Sequence, residues 1–123
     1  MRSFQHGRFK GAGPNFWITT FVLCVLSKKE AHGYELFEML AEHFPNLCPC
    51  RGPSWMGAGY RILRELELQG LITSRWETGE GPAKRTYSLT PKGKVLKDQL
   101  VDQMKDLRNQ IDRFLQLVEG EEV

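Results

Sequence analysis

The sequence predicts a mainly α chain in which three short helices and a small β-hairpin make one domain, with a long fourth helix at its C-terminal end. Three observations carry this expectation. Apolar residues recur at helical spacing in separate stretches. Two short runs rich in β-branched and aromatic residues flank a glycine- and proline-containing break around residues 78–84. Residues 91–119 then carry an apolar seven-residue repeat. With 123 residues, 41% of them hydrophobic, the chain can bury one core but not two.

Residues 1–13 mix glycines with basic side chains and show no period, so they are expected to be a mobile arm. Asn15 is placed to cap a first helix over residues 16–26, apolar on nearly every side and therefore expected to be surrounded by protein. A polar break at residues 28–30 precedes a second helix over 31–44, where Leu36, Phe37, Leu40 and Phe44 fall at helical spacing before Pro45. Residues 46–53 read as a loop. Ser54 can cap a third helix that turns Leu63 and Leu66 inward and ends near Gln69, with Gly70 in the favoured C-terminal position. Residues 71–77 and 85–90 form the hairpin. Thr90-Pro91 opens the last helix, threonine as cap and proline where its missing N–H costs nothing.

Composition narrows the function classes. Net charge is only +2, but residues 51–97 hold nine Lys/Arg against four Asp/Glu, and residues 98–123 hold three against seven. Three cysteines, an odd number, speak for a reducing compartment, and the cytoplasm is expected. Arg2, Arg8 and Lys10 before the apolar run give the outline of a signal peptide. That run is eleven residues long, too short for a bilayer, and Ser27-Lys28-Lys29 follows it without a cleavage pattern, so no membrane association is expected. Histidines at positions 6, 32 and 43 come with no nucleophile elbow, phosphate loop or spaced carboxylate pair. Neither catalysis nor a cofactor is expected.

Two amphipathic helices joined by a break and followed by a two-stranded ribbon reproduce the winged helix-turn-helix layout, in which one helix enters the DNA major groove and the ribbon tip meets the flanking backbone. Arg61 and Arg64, three apart, can project from one face of the third helix. Lys84 and Arg85 sit at the hairpin tip near glycines that permit close backbone approach. The bland alternatives are a solvated face on which the arginines pair with Glu65 and Glu67, and an edge strand protected by charge.

His32-Gly33-Tyr34-Glu35-Leu36 in the second helix, Gly57, Tyr60, Leu63, Leu66-Glu67 and Gly70-Leu71-Ile72 around the third, and the hairpin block from Gly81-Pro82-Ala83-Lys84-Arg85 through Thr90-Pro91-Lys92-Gly93 together resemble the PadR family. The resemblance covers roughly residues 16–118. It implies a repressor with a winged helix-turn-helix domain and a single C-terminal dimerisation helix, as in the smaller PadR subfamily, with Tyr60, Lys84 and Arg85 near DNA. Tyr60 has an alternative role as a half-buried brace, His32 reads as a structural group, and Gly33 as a site of close helix packing. Two departures stand out. Gly59 replaces a usual aliphatic residue, which would loosen the start of the third helix, and Cys48-Pro49-Cys50 lies outside the family pattern.

In the last helix Leu100, Met104, Leu107, Ile111, Phe114 and Val118 recur at spacings of four, three, four, three and four. Such a seam has to be buried, and a homodimer is the expected solution, the alternative being a helix folded back on its own domain. The organisation expected is an arm over 1–13, a winged helix-turn-helix domain over 14–90 that binds double-stranded DNA, and a dimerisation helix over 91–119. The resemblance also implies a small aromatic effector, for which Phe16 and Trp17 are candidate pocket walls, the alternative being ordinary packing. A winged-helix module that binds protein instead of DNA is the rival function. Cys48 and Cys50, with His43 nearby, raise a thiol- or metal-responsive regulator as a further alternative, although a closed zinc site needs four ligands.

Overall fold

A computed structural model describes residues 14–46, 53–79 and 81–120. The expected arm, the Cys48-Pro49-Cys50 segment and the Ser54 side chain lie outside the described residues. Helix α1 spans Pro14–Leu26 and begins one residue before the anticipated Asn15 cap. Ile18, Val22, Leu23 and Leu26 share one face and are buried. The helix is not enclosed on all sides as expected. Trp17, Phe21 and Cys24 are half-buried, because that flank borders a groove and not the core. Thr20 is buried among these apolar neighbours and satisfies its hydroxyl by donating to the Phe16 carbonyl at 2.7 Å.

The stretch expected to be one helix over 31–44 divides in two. Ala31–His32 form a short strand, β1, and helix α2 runs Gly33–His43. The helix starts here because the Glu35 carboxylate reaches back to accept the His32 backbone N–H at 2.8 Å, half of a capping box. It ends before Pro45, with the Phe44 N–H donating to the Leu40 carbonyl at 2.9 Å.

Helix α3 spans Pro53–Leu68 and buries Leu63 and Leu66. Gly59 does not loosen it: a Cβ there would meet the rings of Trp55 and Phe37, so the glycine makes room for an aromatic pair packed edge to face at 4.9 Å. A Schellman motif stops the helix. Gly70 takes φ 79°, its N–H donates to the Glu67 carbonyl at 3.0 Å, and the Leu71 N–H donates to the Leu66 carbonyl at 3.0 Å. Leu71 and Leu66 are both buried, completing the apolar contact of that motif.

Strands β2 (Ile72–Glu77) and β3 (Lys84–Leu89) pair antiparallel from Ile72 opposite Leu89 to Glu77 opposite Lys84. The expected two-stranded hairpin is a three-stranded sheet in the order β1-β3-β2, with Ala31 opposite Tyr87 and His32 opposite Thr86. β1 gives partners to the backbone groups that the second edge of β3 would otherwise leave open.

Helix α4 runs Pro91–Glu119, 29 residues or about 43 Å. The Thr90 hydroxyl caps it by accepting the Gly93 N–H at 3.0 Å and is itself a donor toward the Gly70 carbonyl at 2.7 Å. Lys92 donates to the Gln69 carbonyl at 2.9 Å, satisfying the open end of α3. One core follows, built from α1 and α2, from Leu63 and Leu66 of α3, from Leu71 just after it, from Ala31, Ile72 and Tyr87 of the sheet, and from Leu96 and Leu100 of α4.

Candidate nucleic-acid interface

The core fixes α3 by its inner leucines and leaves the opposite face to solvent. Tyr60, Arg61 and Arg64 are exposed on it. Neither arginine pairs with an acid among the described residues. The neighbouring acids are engaged elsewhere: Glu65 accepts from the Gln69 amide at 3.0 Å, and Glu67 is bound to the hairpin. Lys84, at the start of β3, is likewise exposed and without an ion pair among the described residues.

Tyr60 is packed on one side and open to solvent on the other. Its ring packs edge-on against Phe37 at 5.4 Å and lies over Gly33, where an added Cβ would stand 2.6 Å from the ring. At 37% exposure it still presents the side facing solvent. Burial, helped by the nearby Tyr34, pushes the phenol above its ordinary pKa, so it remains a neutral O–H donor.

Arg85 differs from the free tip cation the sequence led us to expect. Its Nε donates to the Ser74 hydroxyl at 2.9 Å, its guanidinium lies 3.5 Å from a Glu67 oxygen, and its centre sits 5.3 Å above the Trp76 ring. Between α3 and the hairpin a cleft of about 430 Å³ opens, walled by Tyr34, Tyr60, Trp76, Lys84 and Arg85. Trp76, 61% exposed, was missed by sequence reasoning, although the hairpin register alone places it opposite Arg85. Arg75, another basic residue of the hairpin, is neutralised locally. It binds both oxygens of Glu30, at 3.2 and 2.8 Å, and Glu30 also accepts from Ser88 at 2.9 Å. These donors, Arg75 foremost, hold the Glu30 carboxyl below its ordinary pKa.

On the far side, α1 and α4 enclose a groove of about 510 Å³ lined by Trp17, Phe21, Cys24, Met104, Leu107 and Ile111 among others. Trp17 is one of the walls of this groove. Phe16 is not: it packs against the core one helical step away. Leu100, expected at the seam, is 2% exposed inside its own domain. Met104 and Leu107 are half-buried, and Ile111, Phe114 and Val118 are 49%, 63% and 52% exposed. Burial also pushes the Cys24 thiol up from its ordinary pKa. Among the described residues no group of His, Cys, Asp or Glu is gathered that could hold a metal ion, and no described helix is long and apolar enough to cross a membrane. Cys48 and Cys50 lie outside the described residues.

Comparison with known proteins agrees with this architecture. The sequence pattern of the transcriptional regulator PadR-like family matches residues 22–99. No curated protein matches the sequence. Among solved structures, a candidate transcriptional regulator from Thermoplasma acidophilum is 26% identical, with a TM-score of 0.66 over 82% of this chain and 90% of that one. A PadR family regulator from Eggerthella lenta is 25% identical, with a TM-score of 0.66 over 83% of this chain and 84% of that one. A PadR family regulator from Clostridium difficile shares the fold at 24% identity and a TM-score of 0.68, over 80% of this chain and 98% of that one. The family's pattern spans more than half of the chain, from within α1 to within α4 and across the whole winged-helix scaffold, and the chain belongs to the PadR-like family of transcriptional regulators.

Proposed function

We propose that the protein is a cytoplasmic repressor that binds a pseudo-palindromic site on double-stranded DNA as a homodimer, α3 entering the major groove and the β2–β3 wing lying along the flanking backbone. The observation that carries this reading is the set of exposed, locally unneutralised cations Arg61, Arg64 and Lys84 on the outer surface of α3 and the wing. Phosphate-binding surfaces need such charges, because each neutralised phosphate releases condensed counterions. Tyr60 adds a neutral hydroxyl donor beside them, suited to a phosphate oxygen or a base edge.

In this reading residues 14–90 are the DNA-binding domain and 91–119 the dimerisation helix, preceded by an arm over 1–13. Ile111, Phe114 and Val118, exposed in the single chain, meet their counterparts in the partner copy, with Met104 and Leu107 at the edge of the same seam. A two-fold axis through paired tails sets the recognition helices about one DNA turn, roughly 34 Å, apart. A small aromatic effector fits the groove between α1 and α4, whose lining is overwhelmingly apolar and includes the Trp17 indole.

The test is a binding titration of the full chain against duplexes it selects from random sequence, repeated over a range of salt. Tight binding that weakens steeply with salt, with a shallower slope for Arg61→Ala and Lys84→Ala, is the expected result. Absence of DNA retention at low salt would overturn the reading in favour of a protein-binding winged helix.

A further inference from the structure

Glu67 is an acid on the helix proposed to enter DNA, where a carboxylate repels phosphates. Its surroundings give it another task. The Ser74 hydroxyl, on β2, donates toward both Glu67 oxygens, at 3.1 and 2.9 Å, while the same hydroxyl oxygen accepts the Arg85 Nε–H at 2.9 Å. An Arg85 terminal nitrogen also lies 3.5 Å from Glu67 Oε1. The result is a directed chain, guanidinium to hydroxyl to carboxylate, that crosses from α3 to both strands of the wing. Each link polarises the next, and both ends are charged. Arg85 is thereby laid over the Trp76 ring, 5.3 Å from its centre, at the wall of the cleft between α3 and the wing.

We propose that Glu67 is a positioning residue of the DNA-binding surface: through Ser74 it fixes Arg85 over Trp76 and sets the spacing between the recognition helix and the wing. This rests on the DNA-binding reading above. Arg85 then differs from Lys84 in kind. Lys84 has no ion pair among the described residues and can follow a phosphate, whereas Arg85 is held at one place and presents its remaining N–H groups from there. Glu67 has only partial access to solvent, with 29% of its side chain exposed, and it spends its charge on Arg85 and Ser74 instead of on the groove.

The sign of the effect separates this proposal from simple repulsion. Removing an acid beside phosphates strengthens DNA binding if charge is all that matters. Under the proposal Glu67→Gln instead weakens binding of the full chain to the duplex it selects, by about fivefold, and lowers the salt slope as Arg85→Ala does. The double variant Glu67→Gln/Arg85→Ala binds no more weakly than Arg85→Ala alone, since both changes break one chain. Equal or tighter binding by Glu67→Gln, or losses that add in full, overturns the proposal.

A second readout needs no DNA. The indole N–H signal of Trp76, identified by its loss in Trp76→Phe, moves in Glu67→Gln and in Arg85→Ala. An unmoved signal in folded Glu67→Gln overturns the proposal. Should Glu67→Gln fail to fold, Ser74→Ala removes the hydroxyl link without touching either charge, leaves only the direct 3.5 Å contact of Arg85 with Glu67, and is expected to give losses in the same direction; wild-type affinity and an unmoved indole signal there count against the proposal. Failure of the wild-type protein to bind any duplex at low salt defeats the DNA-binding reading alone, and the indole signal then decides whether Glu67 holds the wing.

Discussion

The two parts of α4 carry the same apolar repeat and meet different fates. Over its first three turns Gly93, Leu96 and Leu100 press into the domain and are buried. Beyond Leu107 the stripe leaves the body, so that Ile111, at the end of the groove, is 49% exposed and Phe114 and Val118 are 63% and 52% exposed. A helix of about 43 Å cannot lie entirely against a domain this small. A sequence repeat therefore states that a surface is apolar but not what covers it: the chain itself covers one stretch, and the rest stands open in the single chain.

The largest expected effect breaks the inner part. Leu100→Ala removes a fully packed side chain and is expected to lower the stability of the domain by about 2–5 kcal/mol, independent of protein concentration in a denaturant titration. Phe114→Ala acts on the outer part. It should leave secondary structure intact while weakening self-association about 30-fold, as for a buried aromatic anchor worth about 2 kcal/mol, and sedimentation over a concentration series reads this directly. An unchanged association constant for Phe114→Ala would show that the outer stripe is not the dimer seam.

Smaller effects sharpen the contrast from the domain side. Arg64→Ala is expected to lower the slope of log affinity against log salt by about one, with mass and thermal stability unchanged, because Arg64 has no ion-pair partner among the described residues. The smallest effect is on acid stability. The Glu30 carboxyl is held below its ordinary value of 4.5 by Arg75 and then by Ser88, so its contribution to folding is complete above that pH and is lost as the pH falls through the lowered folded value. Glu30→Gln should flatten the dependence of the melting temperature on pH in that acid range only.

Much of the architecture was legible in the sequence because it is written in periods. The 3.6-residue spacing of Leu36, Phe37 and Leu40 and the Thr90-Pro91 cap locate α2 and the start of α4 within a residue or two. Two residues contain no period, and β1 could not be seen: only the open edge of β3, dozens of residues later, gives Ala31 and His32 a reason to extend. Leu100 was misassigned for a related reason, since a heptad count is blind to the point at which a helix leaves its domain. For the site, the exposure of Arg61, Arg64 and Lys84 followed from helical and strand geometry. The engagement of Arg85, exposed as it is, did not, because its partners Glu67 and Ser74 are set by the docking of the wing on α3, a tertiary fact. Gly59 was read as a propensity cost, whereas the rings of Trp55 and Phe37 occupy the space a side chain would need.

The junction at Leu71 has a mechanical meaning. Its carbonyl accepts both the N–H and the hydroxyl of Thr90, at 3.2 and 3.0 Å, and any side chain at Gly93 would strike that same carbonyl. The root of the long rod is thus clamped to the end of α3 with no slack between them. With no free backbone between them, any tilt of the long helix about its root is passed directly to the end of α3, so the two helices move as one piece.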